Sequence, residues 1–296
     1  MLAALLAAST ATAAPDVTFV AAPDGVPLCV AEAGNPAGPP IVFIHGYSQT
    51  YAVFSRQFDS ALAKDFRLLA LDMRGHGCSG KPWTESAYAG AQPWADDLAT
   101  LLREKQVTRP LLVGWSAAGY WIADYVRTHG PDGLAGILLA GSHAGLMTPA
   151  INPDLPAQQS ANRAANLAYP PDIAVALARG DQFASLMAAR PLPDDVRRTM
   201  TAATYMLPAY ARRALGGRSL ENQDLAARFT LPVLFILGDQ DRVATPAQLQ
   251  AVAATLPEAR VTIYAGSGHS TFAEEPDRFN ADVAAFALRV RAGARP

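Results

Sequence analysis

Uninterrupted apolar runs alternate along this chain with segments whose apolar residues recur every three or four positions. The runs are short and end at glycine, proline or polar residues, which is typical of strands buried on both faces of a parallel sheet. Strand patterns cover residues 17–21, 26–31, 41–44, 66–71, 111–113, 134–140, 233–237 and 261–264. Helical patterns cover residues 51–63, 94–105, 117–127, 246–256 and 274–290. This alternation predicts an α/β fold with a doubly wound, mostly parallel sheet.

The alternation stops between residues 143 and 229, where prolines are frequent and no strand pattern occurs. Short alanine-rich segments at 172–178, 183–189 and 194–205 predict helices there instead. We interpret residues 143–229 as a helical cap inserted in a core domain made of residues 15–142 and 230–296. The alternative is a linker or disordered arm, which the many hydrophobic side chains of this segment disfavour.

Composition agrees with one large folded unit. Hydrophobic residues make up 50% of the 296 residues, enough for a sizeable core. The formal charge is −2 and no run of lysine or arginine occurs, so nucleic acid is not expected as a partner.

Residues 1–14 form an apolar, alanine-rich segment that closes with Ala11-Thr12-Ala13. Such a segment is typical of a secretory signal peptide, although no lysine or arginine precedes Arg56. It is too short to span a bilayer. We expect cleavage near Ala13 and export to the periplasm or the medium. The alternative is a disordered tail on a cytoplasmic protein.

The two cysteines lie in different parts of the predicted fold. Cys29 falls in an early strand, and Cys78 falls in a glycine-rich loop after a different strand. An exported protein could pair them, but this separation leads us to expect unpaired thiols. Neither cysteine has histidine or cysteine neighbours at the spacing of a metal site, so no metal is expected.

A candidate nucleophile lies where the strand at 111–113 meets the helix at 117–127. The sequence Gly114-Trp115-Ser116-Ala117-Ala118 places a hydroxyl at the apex of a sharp strand–turn–helix. Strand and helix nearly touch at such a turn, so the residues two before and two after the serine must be small. Here they are Gly114 and Ala118. An ordinary strand-to-helix turn is the alternative interpretation.

A serine hydroxyl becomes a nucleophile at neutral pH only beside a base, which an acid in turn orients. The expected order in such a sheet is Ser, then Asp or Glu, then His, each after a strand. His269 lies in a glycine-rich loop beyond the strand at 233–237 and is the candidate base. Asp239 and Asp241 both follow that strand. We favour Asp241 because it lies further out along the loop, whereas Asp239 suits a turn.

Acyl transfer also needs two hydrogen-bond donors for the developing oxyanion. The backbone N–H of Ala117 is one candidate, and the N–H of Tyr47, after the strand at 41–44, is the other. Tyr47, Asp72 and Ser116 each follow a strand, so we expect them at one edge of the sheet. The other histidines have separate expected places: His45 beside the oxyanion loop, His76 in a tight glycine turn, His129 at a helix C-terminus and His143 at the cap entrance.

Together these motifs resemble the α/β-hydrolase superfamily. They are His45-Gly46-Tyr47, Asp72-x-Arg74-Gly75-x-Gly77-x-Ser79, Gly114-x-Ser116-x-Ala118-Gly119, Gly238-x-x-Asp241 and Gly268-His269, in the expected order. Within the superfamily the chain is most similar to capped esterases, cofactor-free haloperoxidases and proline iminopeptidases. The resemblance implies an α/β-hydrolase fold, Asp241 as the acid, no cofactor, and a structural turn at Asp72, Arg74 and Gly75. Dehalogenases and epoxide hydrolases of the superfamily carry an aspartate in place of Ser116, so those chemistries are disfavoured.

We therefore interpret the chain as a serine hydrolase that cleaves carboxylic esters with Ser116, His269 and Asp241. The alternatives are a perhydrolase or haloperoxidase, an aminopeptidase, and a receptor-like binding protein of the same fold. The apolar cap suggests a small or medium, uncharged ester as substrate. The expected pocket residues are His45, Trp115, Met147, Phe183, Met187 and Tyr205, with Trp83 beside the motif loops.

Overall fold

One eight-stranded sheet runs through the structure, a computed structural model that describes residues 14–293 except 155, 159, 162–163 and 165–171. Its strands are β1 (Asp16–Ala21), β2 (Pro27–Gly34), β3 (Pro40–Ile44), β4 (Arg67–Leu71), β5 (Leu111–Trp115), β6 (Gly136–Ala140), β7 (Val233–Gly238) and β8 (Ala259–Tyr264). They lie in the order β1-β2-β4-β3-β5-β6-β7-β8. The β1–β2 and β2–β4 pairs are antiparallel and all other pairs are parallel. The predicted α/β fold is confirmed.

Helices cover both faces of the sheet. They are α1 (Ser55–Phe58), α2 (Leu62–Asp65), α3 (Gln92–Glu104), α4 (Ala118–His129), α5 (Ile173–Leu186), α6 (Asp194–Met206), α7 (Ala209–Gly217), α8 (Pro246–Ala253), α9 (Thr271–Glu274) and α10 (Pro276–Ala292). Short 3-10 helices occupy Tyr51–Phe54, Glu85–Ala87 and Gln223–Arg228. Side chains of β3 alternate between two buried clusters, with Ile41 and Phe43 in one and Val42 and Ile44 in the other. Burial on both faces explains the continuous apolar runs.

Two helical segments differ from the sequence prediction. Residues 51–63 form a 3-10 turn and two one-turn helices, because Ser60 Oγ donates to Gln57 O and accepts from Leu62 N, which competes with a continuous helix. The segments predicted separately at 172–178 and 183–189 belong to one helix, α5. Gly180 lies inside α5, where a Cβ would come 2.5 Å from Tyr205 Oη. The glycine therefore makes room for α6 and does not end the helix.

The described residues between 143 and 229 contain α5, α6 and α7 and no strand. Two of these helices, α6 and α7, contact loops at the carboxyl ends of the strands. Gln49 Nε2, in the loop after β3, donates to Met200 O at 3.2 Å. Tyr210 Oη donates to Lys81 O, beyond β4, at 2.8 Å. The helical segment thus lies against the edge of the sheet where the predicted site residues are found. None of the helices formed by the described residues has the length and apolarity to cross a membrane.

Candidate active site

Ser116 occupies the tight turn between β5 and α4. Its φ is +56°, in the left-handed region that is strained for a residue other than glycine and that recurs at functional sites. The turn is held in place because Ser116 N donates to Ala140 O, at the end of β6, at 2.9 Å. A Cβ on Gly114 would lie 2.6 Å from Ile122 Cδ1 and 3.1 Å from Ala118 Cβ. Gly114 therefore allows α4 to pack closely on β5, and an alanine is tolerated at position 118.

His269 and Asp241 form a buried pair. His269 Nδ1 lies 2.8 Å from Asp241 Oδ2, and the two side chains are 1% and 0% exposed. The other carboxylate oxygen, Asp241 Oδ1, accepts hydrogen bonds from the backbone N–H groups of Val243 and Ala244 in the same loop, at 2.6 and 3.3 Å. Because the carboxylate is an acceptor, His269 carries its proton on Nδ1 and presents a lone pair at Nε2. Asp239, the alternative acid, instead accepts from Gly266 N at 2.7 Å and stabilises the loop.

The His269 loop meets the ends of β5 and β6. Trp115 Nε1 donates to His269 O at 3.0 Å, and a Cβ on Gly141 would lie 2.8 Å from His269 Nδ1. His269 Nε2 is buried and has no hydrogen-bond partner in the part of the chain that the structure describes. Ser116 Oγ and His269 Nε2 are therefore on the same edge of the sheet but are not hydrogen-bonded here. Such bonds are often long in unliganded enzymes and shorten when substrate binds.

The two candidate oxyanion donors flank Ser116. Ala117 is the N-cap of α4, where the first N–H groups have no partner within the helix. The loop after β3 lies against the serine, since a Cβ on Gly46 would come 3.2 Å from Ser116 Cβ. Tyr47 follows directly in this loop. Ala117 and Tyr47 are both partly accessible, in segments that are mostly buried.

Three residues assigned to the pocket from sequence are buried: His45, Trp115 and Met147 are 0%, 1% and 2% exposed. His45 Nε2 accepts from Met73 N at 3.1 Å, and Nδ1 lies 2.7 Å from Gly46 O. Burial lowers the pKa of His45 to about 4, so the ring is neutral at pH 7. His45 thus connects the loops after β3 and β4. The assignment of these three residues to the pocket stays a prediction.

The remaining pocket candidates lie on the helical segment or at its margin. Phe183 and Met187 are partly exposed on or next to α5. Tyr205 Oη donates to Leu177 O at 2.7 Å and joins α6 to α5. Trp83 is 81% exposed and stacks on Tyr210 with ring centroids 4.5 Å apart, so it lies on the outer surface.

Cys29 and Cys78 form a disulfide, with Cα atoms 5.6 Å apart, so the expectation of unpaired thiols is wrong. β2 pairs directly with β4, and the loop after β4 folds back onto β2, where Cys29 N donates to Ser79 Oγ at 2.8 Å. Strand order therefore brings together two residues 49 positions apart. Cys29, Cys78 and Asp72 also form a group of metal-type ligand atoms within 4.8 Å in the described chain. With the sulfurs bonded to each other, that group offers no thiolate.

The turn at Asp72 and Arg74 is a buried polar network. The Asp72 carboxylate accepts from Tyr51 N at 2.5 Å and Cys78 N at 2.9 Å. Burial raises the pKa of Asp72 to about 6. Arg74 makes a bidentate contact with Asp97 at 2.8 and 2.7 Å. These bonds join the loops after β3 and β4 to α3, as a structural turn would.

Sequence reasoning did not identify Glu274, which connects the His269 loop to the helical segment. Its carboxylate accepts from Gly268 N at 2.9 Å, from Ala189 N at 2.8 Å and from Arg190 N at 3.3 Å. A Cβ on Gly268 would lie 2.5 Å from Ala189 N. One carboxylate thus holds the residue before His269 against the connection between α5 and α6. No local pattern in the sequence marks this role.

The chain also resembles known proteins over most of its length. The family model for the alpha/beta hydrolase fold matches residues 39–276. The AB hydrolase superfamily protein YisY of Bacillus subtilis (strain 168) is 26% identical over 272 residues, covering 90% of this chain and 98% of YisY. Non-heme chloroperoxidase CPO-A1 of Kitasatospora aureofaciens is 28% identical over 286 residues, covering 89% of this chain and 96% of CPO-A1.

Solved structures with the same fold include the esterase RhEst1 from Rhodococcus sp. ECU1013. It is 27% identical to this chain, with a TM-score of 0.78, and the alignment covers 93% of this chain and 99% of RhEst1. The similarity therefore extends over the sheet and over the helical segment between β6 and β7.

Proposed function

The chain belongs to the α/β-hydrolase family, and on this premise we propose that it is a serine hydrolase that cleaves carboxylic esters through an acyl-enzyme. The observation that carries the proposal is the buried His269–Asp241 pair, 2.8 Å apart. Its Nε2 has no hydrogen-bond partner among the described residues and lies at the same sheet edge as the strained Ser116. A nucleophile, a base and an orienting acid in this order are what acyl transfer requires.

In the proposed reaction Ser116 Oγ attacks the ester carbonyl carbon while its proton passes to His269 Nε2. Nε2 then protonates the leaving alkoxide as the C–O bond breaks, which leaves the acyl group on Ser116. Water adds by the same route and releases the carboxylic acid. Asp241 keeps Nδ1 protonated and stabilises the imidazolium, while the N–H groups of Tyr47 and Ala117 donate to the oxyanion.

We propose further that α5, α6 and α7 form a cap over this site and that the substrate is uncharged. Phe183 and Met187 are partly exposed on this segment, and both would offer apolar surface to an acyl chain. Glu274 supports the idea of a cap, because it holds the connection between α5 and α6 beside Gly268.

Similarity to a non-heme chloroperoxidase favours a second candidate activity at the same residues. If hydrogen peroxide replaces water in attacking the acyl-enzyme, the product is a peracid, which can oxidise halide. Bromination of a phenol dye in acetate and peroxide measures this activity. We expect it to be weaker than ester hydrolysis, and the reverse order would favour the perhydrolase.

The test is turnover of p-nitrophenyl acetate and butyrate by the wild type and by Ser116→Ala. We expect the variant to lose at least about a thousandfold in kcat. Ser185→Ala is the control, because that hydroxyl lies on α5 and donates to Asp181 O within the same helix. A Ser116→Ala protein that keeps most of its rate refutes the assignment. Turnover of aminoacyl naphthylamides in preference to esters would identify a peptidase, and no turnover at all would favour a binding protein.

We propose, finally, that the protein is exported. Disulfides persist in oxidising compartments, and the Cys29–Cys78 bond is supporting evidence for such a location. The signal peptide expected at residues 1–14 lies almost entirely outside the described residues. N-terminal sequencing of protein recovered from the periplasm or the medium tests the proposal. A retained Met1 contradicts it.

A further inference from the structure

Several segments at the sheet edge are buried except at one or a few positions. In residues 41–50 only Tyr47 is partly accessible, and in residues 136–147 only His143 is. In residues 111–126 the accessible positions are Ser116, Ala117 and Tyr120. These segments follow or contain the neighbouring strands β3, β5 and β6. Because the carboxyl ends of these strands lie at one edge of the sheet, we take their partly accessible residues, Tyr120 and His143 included, to line one mouth.

Tyr120 and His143 contact each other. Tyr120 Oη lies 3.4 Å from His143 Nε2, and the rings meet edge to face with centroids 5.7 Å apart. His143 Nδ1 accepts from Gly145 N at 3.2 Å. The backbone at Gly145 is tightly packed: its φ is +77°, and a Cβ at this position would lie 2.3 Å from Leu220 O. The backbone thus determines which nitrogen of His143 is an acceptor.

This contact determines where the hydrogen atoms lie. Burial lowers the pKa of His143 to about 4, so the ring is neutral at pH 7. Since Nδ1 accepts from Gly145, the single ring proton is on Nε2, which can only donate to Tyr120 Oη. Burial raises the pKa of Tyr120 to about 12, so its own hydroxyl proton is retained. The Tyr120 hydroxyl cannot donate to His143 Nε2, because that nitrogen already carries a hydrogen. Tyr120 has no other hydrogen-bond partner among the described residues.

We infer that the Tyr120 hydroxyl donates a hydrogen bond to the substrate, and that the site prefers esters with an oxygen acceptor a few bonds from the scissile carbonyl. The inference rests on the proposed ester hydrolysis at Ser116. Tyr120 lies four residues after Ser116, which is about 6 Å along a helix axis. In this inference the acceptor is an ether or hydroxyl oxygen near the third atom of the acyl chain. An all-carbon chain would cover the Tyr120 hydroxyl without accepting its hydrogen bond, which selects against such a chain.

The test compares p-nitrophenyl methoxyacetate with p-nitrophenyl butyrate, which differ by one oxygen in place of a methylene. For each enzyme, the ratio of kcat/KM for the two esters is divided by the ratio of their hydroxide-catalysed rates. We expect Tyr120→Phe to lower this corrected ratio about tenfold, mainly through KM for the methoxyacetate. Tyr125→Phe is the matched control on the same helix and leaves the ratio unchanged. A Tyr120→Phe variant that slows both esters equally shows a structural role and overturns the inference.

Binding distinguishes this inference from the proposed function. If the wild type hydrolyses neither ester, the proposed function fails, and the inference is tested with methoxyacetamide and butyramide by ligand-observed NMR. Weaker binding of methoxyacetamide to Tyr120→Phe than to the wild type, with butyramide unchanged, supports the donor role. Equal binding of both amides to both proteins overturns it.

Discussion

Reduction of the Cys29–Cys78 disulfide should lower the stability of the native fold without changing its architecture. The bond closes a segment in which the two residues are 49 positions apart. In the chain-entropy treatment, closing a loop of this length in the unfolded state stabilises the folded state by about 4 kcal/mol. Cys78 is exposed, so a dithiol reductant can reach the bond in the folded protein.

The expected shift follows from the size of the protein. With an unfolding entropy of about 2 cal/mol/K per residue over 296 residues, about 4 kcal/mol corresponds to a drop of about 7 °C in Tm. We would measure melting by circular dichroism with and without dithiothreitol, and confirm the value by urea unfolding under conditions where refolding is complete.

The double variant Cys29→Ala/Cys78→Ala is the control. Its melting should not respond to dithiothreitol, and it should melt slightly below the reduced wild type because Cys29 is fully buried and its sulfur contributes to packing. Two free thiols in native protein purified without reductant, or a reduction-induced shift below about 1 °C, would refute the reasoning.

Three further predictions follow from the contacts around the site. Gly141→Ala should lower kcat/KM for p-nitrophenyl butyrate about a hundredfold and leave the circular dichroism spectrum unchanged. The reason is that a Cβ at Gly141 would lie 2.8 Å from His269 Nδ1, at a backbone φ of +57°. A variant with full activity would contradict this prediction. Glu274→Gln should lower kcat and speed proteolysis of the connection between α5 and α6. A neutral amide accepts hydrogen bonds from the three N–H groups less strongly than the carboxylate does. If both kcat and the proteolysis rate stay unchanged, the carboxylate does not hold this connection in place. The pKa of buried His45 is about 4 against an ordinary 6.5, so between these pH values the unfolded chain binds a proton at His45 that the native state does not. The His45 contribution to the unfolding free energy should therefore fall as the pH drops from 6.5 to 4, while buried Asp72, whose pKa is raised to about 6, contributes with the opposite sign. His45→Gln should reduce that slope by about 1.4 kcal/mol per pH unit in urea titrations, and an unchanged slope would show that His45 is not the group responsible.

Local patterns in the sequence were sufficient for the strands and for the order of the motifs. Residues buried on both faces must be apolar, so β3 and β7 appear as continuous runs at nearly their observed positions. The small residues around Ser116 identified its turn because a strand and a helix cannot otherwise approach so closely. The residues after each parallel strand could be placed at one edge, because all such strands end on the same side of the sheet.

Only the tertiary structure decided which side chains meet. Cys29 and Cys78 pair because β2 lies next to β4 in the sheet, an order that a linear pattern of apolar residues does not reveal. His45, Trp115 and Met147 are buried, which the sequence did not reveal, since burial depends on what covers a residue from distant parts of the chain. For the same reason Glu274 and Tyr120 were not recognised: their partners, Gly268, Ala189 and His143, come from other elements. Local periodicity carries information about how a segment is buried, whereas partner choice depends on the packing of the whole chain.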